Sequence, residues 1–528
     1  MPGGLTAGGG RALVPASPAA PKPSPRLLRT ISAMRLTPAD LARLFGGRLE
    51  GAGEPSAPLA AIETDSRNVR PGGAFVALAG ERLDGHVHVG AAAAAGIPAA
   101  SVAGAVRGFR AVAHRLEPVL ESDGVLWIND SKATNVDAAV TGLRALGDRP
   151  VVWIGGGGSK GVGPEALAAE VAARAGCAVV GVTGSVGKTS AKELCALALG
   201  GRDAAATPGN LNTWTGIPIS VLGLTPPVGV FVAEMAMSAP GEIRDLCSFA
   251  RPRTGVLLNV GLAHVELLGS LAAIADAKAE LLESLPADGV AVCNADDPEV
   301  RRVAARSPAP VTWFGIDAPA DYGAVDVVDA GLEGVRCRLV GPDGSAPLRL
   351  RVPGLHTVRN ACAAAAVAGR HGVGIAEAAE RLAAFEAPPQ RGVVRRGAEG
   401  AVIVDDSYNA SPASVAAALA VLAGSGAARR LAVLGDMLEL GDHAADAHAE
   451  AGRQAARAAT ALIAVGEHAA LMVEAAVAAG MPADCARVAG DVDEAARLAR
   501  AQCDPGTVVL VKASHGVALE RVVERLLR

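Results

Sequence analysis

GVTGSVGKTS, Gly181–Ser190, follows the apolar run AVV and precedes an alanine-rich helical pattern. A β-branched strand, a tight glycine turn and a helix in that order make a phosphate-binding loop. Gly184 and Gly187 let the backbone curl so that the N–H groups of the Gly184–Ser190 turn, Ser185 included, face a phosphate. The start of the helix adds positive potential there. Lys188 has the reach for β- and γ-phosphates, and the hydroxyl of Thr189 suits a magnesium ion, with Ser190 beside it. Val182 stands where the strict GxxxxGK[ST] pattern has its first glycine, so what remains is the shorter T-G-x-x-G-K-[ST] form. A glycine turn that binds nothing is the competing reading, and Gly-Lys-Thr after a strand disfavours it.

Outward from this loop the chain alternates short β-branched runs with alanine-rich helical stretches. AVVGVTGS, VGVFVAEMA, TGVLLNVG and GVAVCNADD read as buried strands, and so do the later AVIVDDSYN, RLAVLGDM, ALIAVG and TVVLVKAS. Continuous apolar strands separated by helices predict parallel sheets covered on both faces. The break at APPQRGVVRRGAEG (387–400) divides two such sheets. GVRCRLVGPDGSAPLRLRV instead reads as a hairpin with Asp343-Gly344 at its turn. In open parallel sheets ligands bind at the carboxyl ends of the strands, where most of the polar residues in these runs fall.

At 528 residues the chain has room for several domains. Half of it is hydrophobic but only 2% is aromatic, so alanine, valine and leucine must fill the cores. A formal charge of −5 argues against a nucleic-acid or anionic-membrane partner. The eight cysteines are scattered without a CxxC pair, which argues against a disulfide framework and fits a reducing cytoplasm. No run of about 20 apolar residues appears, so no membrane span is expected. Residues 1–34 are rich in Gly, Pro and Ala, with no acidic residue before Asp40. They read as a disordered tail or as sequence upstream of a start at Met34, with a transit peptide as the alternative.

Three further strand ends and helices carry polar groups. Glu234 ends VFVAEMA, His264 follows LLNVGLAHVE, and Lys278 lies on IADAKAELLE. Each alone has an ordinary reading, as a helix cap, a loop residue and a solvated helix face. Lysine is scarce, however, and arginine is used almost everywhere else, the lysines being Lys22, Lys132, Lys160, Lys188, Lys192, Lys278 and Lys512. A lysine kept against that bias suggests a need for an amine rather than a guanidinium.

At this point the residues resemble the Mur ligases of peptidoglycan synthesis, over roughly 35–90 and 177–528. The resemblance is carried by TDSR (64–67), PGGAFVALAGERLDGH (71–86), TGSVGKTS (183–190), GNLNTWTGIP (209–218), EMAMSAPGEI (234–243), NVGLAHVELLGS (259–270), AKAEL (277–281), NADDP (294–298), GLHTVRN (354–360), DDSYNASP (405–412), LGDMLELG (434–441) and VKASHG (511–516). It implies an α/β protein of three domains: a small UDP-binding N-terminal domain (35–90), a central ATPase-type parallel sheet (177–390) and a C-terminal Rossmann-like domain (391–528). It also implies a cytoplasmic, monomeric ligase. ATP would phosphorylate the terminal carboxylate of a UDP-N-acetylmuramoyl tripeptide, and the amine of D-alanyl-D-alanine would attack the acyl phosphate.

The same resemblance implies the roles of single residues. Ser66 and Arg67 would contact the UDP-sugar. Lys188 would hold the phosphates, Thr189 and Glu234 one Mg²⁺, and His264 with a carbamylated Lys278 a second. Asn294 and Asn360 would lie near the adenine, Arg391 near the γ-phosphate and Asp406 near the ribose. Asn210, Asn212 and Thr213 would face substrate, and Asn409 the incoming dipeptide. Thr213, Thr357, His515 and Ala236 depart from the family pattern, which bears on substrate detail more than on reaction class. Another Mur-type or a folylpolyglutamate-type ligase is the alternative within the class, and an ATP-binding protein without ligase activity the alternative outside it.

Residues 91–176 do not continue this pattern. GFRAVAHRLEPV (108–119), DGVLWINDSKATN (123–135) and VVWIGGGGSKG (151–161) resemble the start of the C-terminal domain of a D-glutamate-adding member of the same family. There Arg115 would reach the γ-phosphate and Asp130 the ribose, the roles given above to Arg391 and Asp406, and Ser131 and Lys132 would lie near the glutamate carboxylate, so NDSKATN and DDSYNAS read as counterparts. Three readings stay open: a misplaced fragment that truncates the UDP domain, a functional insertion, and a GGGGS linker.

Overall fold

The computed structural model describes 176–528 apart from 201–203, 215, 223 and 225–227, together with most of 116–146 and four short strands nearer the N-terminus. Residues 1–162 and 163–528 form two compact units.

In the second unit the apolar runs form two sheets. The larger has nine strands in the order Gly344–Leu350, Val335–Gly341, Tyr322–Asp329, Val311–Gly315, Val290–Asn294, Thr254–Leu257, Ala178–Thr183, Val230–Glu234 and Ala204–Ala206. It is parallel from Ala204–Ala206 as far as Tyr322–Asp329, and the last three strands form an antiparallel meander. The strand Ala178–Thr183 lies between Val230–Glu234 and Thr254–Leu257: the chain first builds Ala204–Ala206 and Val230–Glu234 on one side of it, then crosses to Thr254–Leu257 on the other. That is a topological switch point, and the phosphate-type loop opens there.

The meander corrects the expected turn by one residue. Gly341 pairs with Gly344, so the two loop residues are Pro342 and Asp343 rather than Asp343-Gly344. Proline presets the φ that the first turn position wants. Gly344, at φ +134°, absorbs the return into the strand.

The second sheet has the order Val393–Arg396, Val402–Asp405, Thr507–Lys512, Arg429–Gly435, Ala461–Val465, Ala486–Ala489. Only its first pair is antiparallel. The helix Leu355–Arg370 shows how a chain nearly without aromatics builds a core. Its run Ala361–Ala368 is buried all round, which lets it approach the helix Lys188–Leu199 closely.

In the first unit the strands Glu117–Ser122 and Val125–Asn129 form an antiparallel hairpin followed by the helix Val136–Ala145. The same arrangement opens the C-terminal sheet. Twelve residues separate the paired ends in both hairpins, Glu117 with Asn129 and Val393 with Asp405. The helix begins seven residues later in both, at Val136 and Pro412. Even the turn chemistry repeats: the N–H of Ser131 donates to Asn129 Oδ1 at 3.1 Å, and that of Ser407 to Asp405 Oδ1 at 3.4 Å. The two differ in cover. Val402–Asp405 pairs onward with Thr507–Lys512, whereas Val119, Leu120, Val125 and Trp127 are exposed.

Within the segment expected to be a disordered tail, Ala12–Pro15 pairs antiparallel with Gly47–Glu50. ALVP is the one apolar run in that Gly/Pro-rich stretch. Ser66 and Arg67 lie outside the described residues.

Candidate active site

The loop after Ala178–Thr183 is held from behind by the next strand end. Ser185 N–H donates to Asn259 O at 3.0 Å, Val186 N–H donates to Asn259 Oδ1 at 2.9 Å, and Asn259 Nδ2 donates to Val186 O at 3.0 Å. Ser185 Oγ and Gly261 exchange two further bonds. A Cβ on Gly184 would sit 2.9 Å from that of Leu258, so only glycine allows this approach. Gly187, at φ +81°, starts the helix Lys188–Leu199, and Asn360 packs against its open face. Asn259 escaped sequence reading as a site residue; the quoted NVGLAHVE contains it, but its grip on the loop is a long-range contact.

Lys188 Nζ folds back onto Gly184 O at 2.8 Å and Ser185 O at 3.3 Å, which places the amine in the mouth of the loop. Thr189 Oγ1 donates to Glu234 Oε2 at 2.7 Å, and Asn212 Nδ2 donates to Glu234 Oε1 at 2.7 Å. Glu234 is buried. Burial pushes the Lys188 amine below its ordinary value, the Glu234 carboxylate opposes this, and the Arg391 charge adds to it. Arg391, from the linker into the second sheet, lies with its guanidinium 3.8 Å above the Tyr408 ring.

His264 and Lys278 complete this group. Burial lowers the affinity of His264 for a proton; Glu439 opposes this, while Lys188 and Lys278 reinforce it. Lys278 is buried in the helix Leu271–Glu283, so the ordinary alternative of a solvated helix face does not hold. Burial, reinforced by Lys188, lowers its amine well below the ordinary value. A buried amine biased to its neutral form is the nucleophile that CO₂ needs to form a carbamate.

Asn294 Nδ2 donates to Leu258 O at 2.8 Å, and its Oδ1 accepts from Asp296 N–H at 2.9 Å. Asn294 thus bonds to the residue before Asn259, while Asn360 reaches Gly187 from the helix Leu355–Arg370. Asp406 Oδ2 accepts from Lys512 Nζ at 2.6 Å, and the same amine donates to Asn409 O at 2.8 Å. Lys512 was legible as a scarce lysine within VKASHG, but without a role. Asn210 and Thr213 are exposed on the segment that presents Asn212. Ser190 is half-buried in the first turn of the helix, and Asn409 is exposed. A separate cavity is lined by residues that include Leu262, Pro412, His443, Asp446 and Glu450.

A phosphate loop at the switch point of one sheet, with an arginine from the linker into a second parallel sheet close enough to act on its lysine, defines the phosphate-loop ligase class. Three family models match in order: Mur ligase family, catalytic domain, over 58–138; Mur ligase middle domain over 182–368; and Mur ligase, glutamate ligase domain, over 390–515. The chain belongs to the Mur ligase family.

Among curated relatives, the UDP-N-acetylmuramoyl-tripeptide–D-alanyl-D-alanine ligase of Mycobacterium bovis is 36% identical, covering 93% of this chain and 98% of its own length. The enzyme of the same name from Escherichia coli is 34% identical, over 80% and 84%. Among solved structures, MurF ligase from Thermotoga maritima in complex with ADP superposes with a TM-score of 0.62 at 29% identity, covering 88% of this chain and 96% of that one. MurF from Acinetobacter baumannii gives 0.63 at 26%, over 90% and 94%.

Proposed function

We propose that the protein adds D-alanyl-D-alanine to UDP-N-acetylmuramoyl-tripeptide at the expense of ATP, through an acyl phosphate. The observation that carries this is the joining of Thr189, Asn212 and Glu234 beside Lys188, in a chain that matches the named relatives over nearly their whole length. The donor set also fits magnesium: a hydroxyl, a buried carboxylate, an imidazole and an amine suited to carbamylation, which would supply carboxylate-like oxygens. Thr189 and Glu234 would hold one ion, and His264 with carbamylated Lys278 a second. When bound, magnesium offsets the charge of the phosphates and of the attacking carboxylate.

The chain's own groups do the positioning. The loop N–H groups and Lys188 receive the phosphates, and Arg391, braced on Tyr408, faces them from the other domain. Asn294 and Asn360 would lie by the base, and Asp406 by the ribose. A carboxylate oxygen attacks the γ-phosphorus and ADP leaves. The dipeptide amine then attacks the acyl carbon, inorganic phosphate departs, and the amine gives up a proton. Asp446 and Glu450, in the cavity next to Pro412, carry the charge to attract an incoming ammonium. We further propose a cytoplasmic location and a monomer.

For 91–176 the repeated hairpin, turn and helix favour a second copy of the opening of a C-terminal ligase domain, inserted or misplaced. If the insertion disables the UDP domain, the chain binds ATP without ligating. The test is ATP-dependent phosphate release by the purified chain with the UDP-muramoyl tripeptide and either D-alanyl-D-alanine or D-glutamate. Release with the dipeptide alone, and product of matching mass, supports the reading. ATP binding with no release supports the inactive alternative.

A further inference from the structure

His264 and Glu439 meet where the central and C-terminal domains adjoin, with imidazole Nδ1 bonded to carboxylate Oε2. Both residues sit in left-handed backbone, at φ +64° and +63°, a region that non-glycine residues rarely adopt. Such conformations persist where the surroundings over-determine them.

The surroundings of Glu439 do so. Asp436 accepts from the N–H groups of Glu467 at 2.7 Å and His468 at 3.0 Å. Met437 N–H donates to His448 Nε2 at 2.8 Å, and Leu438 N–H donates to Ser514 Oγ at 2.9 Å. Three successive residues before Glu439 are thus pinned to different parts of the C-terminal domain. Across the seam, Glu266 N–H donates to Glu439 O at 3.2 Å. Glu439 is half-exposed, so nothing in the core requires its carboxylate.

We infer that Glu439 is a positioning residue for the second cation site: with the C-terminal domain docked, it takes the Nδ1–H of His264 and leaves the Nε2 lone pair to ligate. This rests on the proposed role of His264 as a magnesium ligand. A ligating histidine that donates its other ring N–H to a carboxylate is fixed in tautomer and orientation, and is the more basic for it. Because Glu439 comes from the other domain, docking and cation affinity strengthen each other by one common factor.

The test uses the full chain with Mn²⁺ as the probe and a non-hydrolysable ATP analogue present. Bound Mn²⁺ is counted by electron paramagnetic resonance, alongside the Mg²⁺ concentration that gives half-maximal phosphate release. Glu439→Ala should weaken one class of Mn²⁺ site about tenfold and raise the Mg²⁺ requirement in parallel, with affinity for the analogue at saturating Mg²⁺ unchanged. Glu439→Gln, which still accepts a hydrogen bond, should fall between. His264→Ala should lose that class. Loss in His264→Ala with wild-type binding in Glu439→Ala overturns the inference alone. Wild-type binding in His264→Ala overturns the reading of His264 and the inference with it.

Discussion

Thr189 and Glu234 lie 45 residues apart and at the ends of different elements, yet Thr189 Oγ1 and Glu234 Oε2 are 2.7 Å apart, and Asn212 takes the other carboxylate oxygen. Glu234 is therefore fixed before any ligand arrives. Replacing it with Gln keeps the size but removes the charge and gives Thr189 and Asn212 a competing donor. Glu234→Gln should lower kcat/KM on the order of 10²–10³-fold, the scale for removing one preorganised electrostatic group. Steady-state phosphate release checks this, and a far-ultraviolet spectrum like that of the wild type separates it from unfolding.

Lys278 carries a cost in the fold that its function explains. Its amine is held well below the ordinary 10.5 by burial. Between the folded and unfolded values the unfolded chain binds more protons, so stability rises with pH across that window. Lys278→Met removes the buried amine at similar length. It should stabilise the protein by roughly 1–4 kcal/mol near neutral pH while abolishing phosphate release. Thermal melts at pH 7 and pH 9 check the sign: the wild type should gain more than the variant. Added bicarbonate should raise the wild-type melting temperature and leave that of the variant unmoved.

Lys192 is fully buried on the helix that the phosphate loop opens, and its amine donates to Thr207 O at 2.6 Å and Gly209 O at 3.1 Å. Those carbonyls begin the segment that delivers Asn212 to Glu234. Lys192→Met leaves two acceptors without their donor, at roughly 1–3 kcal/mol for each that stays buried. Denaturant unfolding should show the loss. The Mg²⁺ requirement should also rise, because Glu234 loses one of its two donors' anchorage.

Much of this was legible in the sequence, and the rest was not for a physical reason. The apolar runs marked the parallel strands because buried strands need no alternation, and Lys188, Thr189 and Glu234 were readable because strand ends carry the chemistry in such sheets. Val311–Gly315 and Tyr322–Asp329 passed unmarked: the first is short and aromatic, and the second is irregular, with its register shifting between Val325 and Val328. The hairpin was found but its turn misplaced by one residue, because Pro342 outcompetes Asp343-Gly344 for the turn. Asn259, Lys192, Glu439 and Lys512 act through partners far along the chain, and no local pattern encodes such a contact.

Lys512 joins Asp406, proposed to lie by the ribose, to Asn409, proposed to lie by the dipeptide, through one amine, 2.6 Å from Asp406 Oδ2 and 2.8 Å from Asn409 O. Its side chain is 3% exposed and that of Asp406 is 23% exposed. Lys512→Met leaves a carboxylate without its cation. Water can reach part of that charge, so the stability cost should be near 2 kcal/mol rather than that of a fully buried broken pair. The functional cost should exceed it, since both residues proposed to face substrate lose a shared anchor. KM for ATP and for the dipeptide should each rise about tenfold, a displacement effect rather than loss of a reacting group. Asp406→Asn and the double variant separate the two contributions. If the bridge works through Asp406, the double variant should be little worse in KM for ATP than either single one, while KM for the dipeptide should follow Lys512 alone, because its route runs through the backbone of Asn409. A lower melting temperature with both KM values unchanged would reduce Lys512 to a brace of the fold.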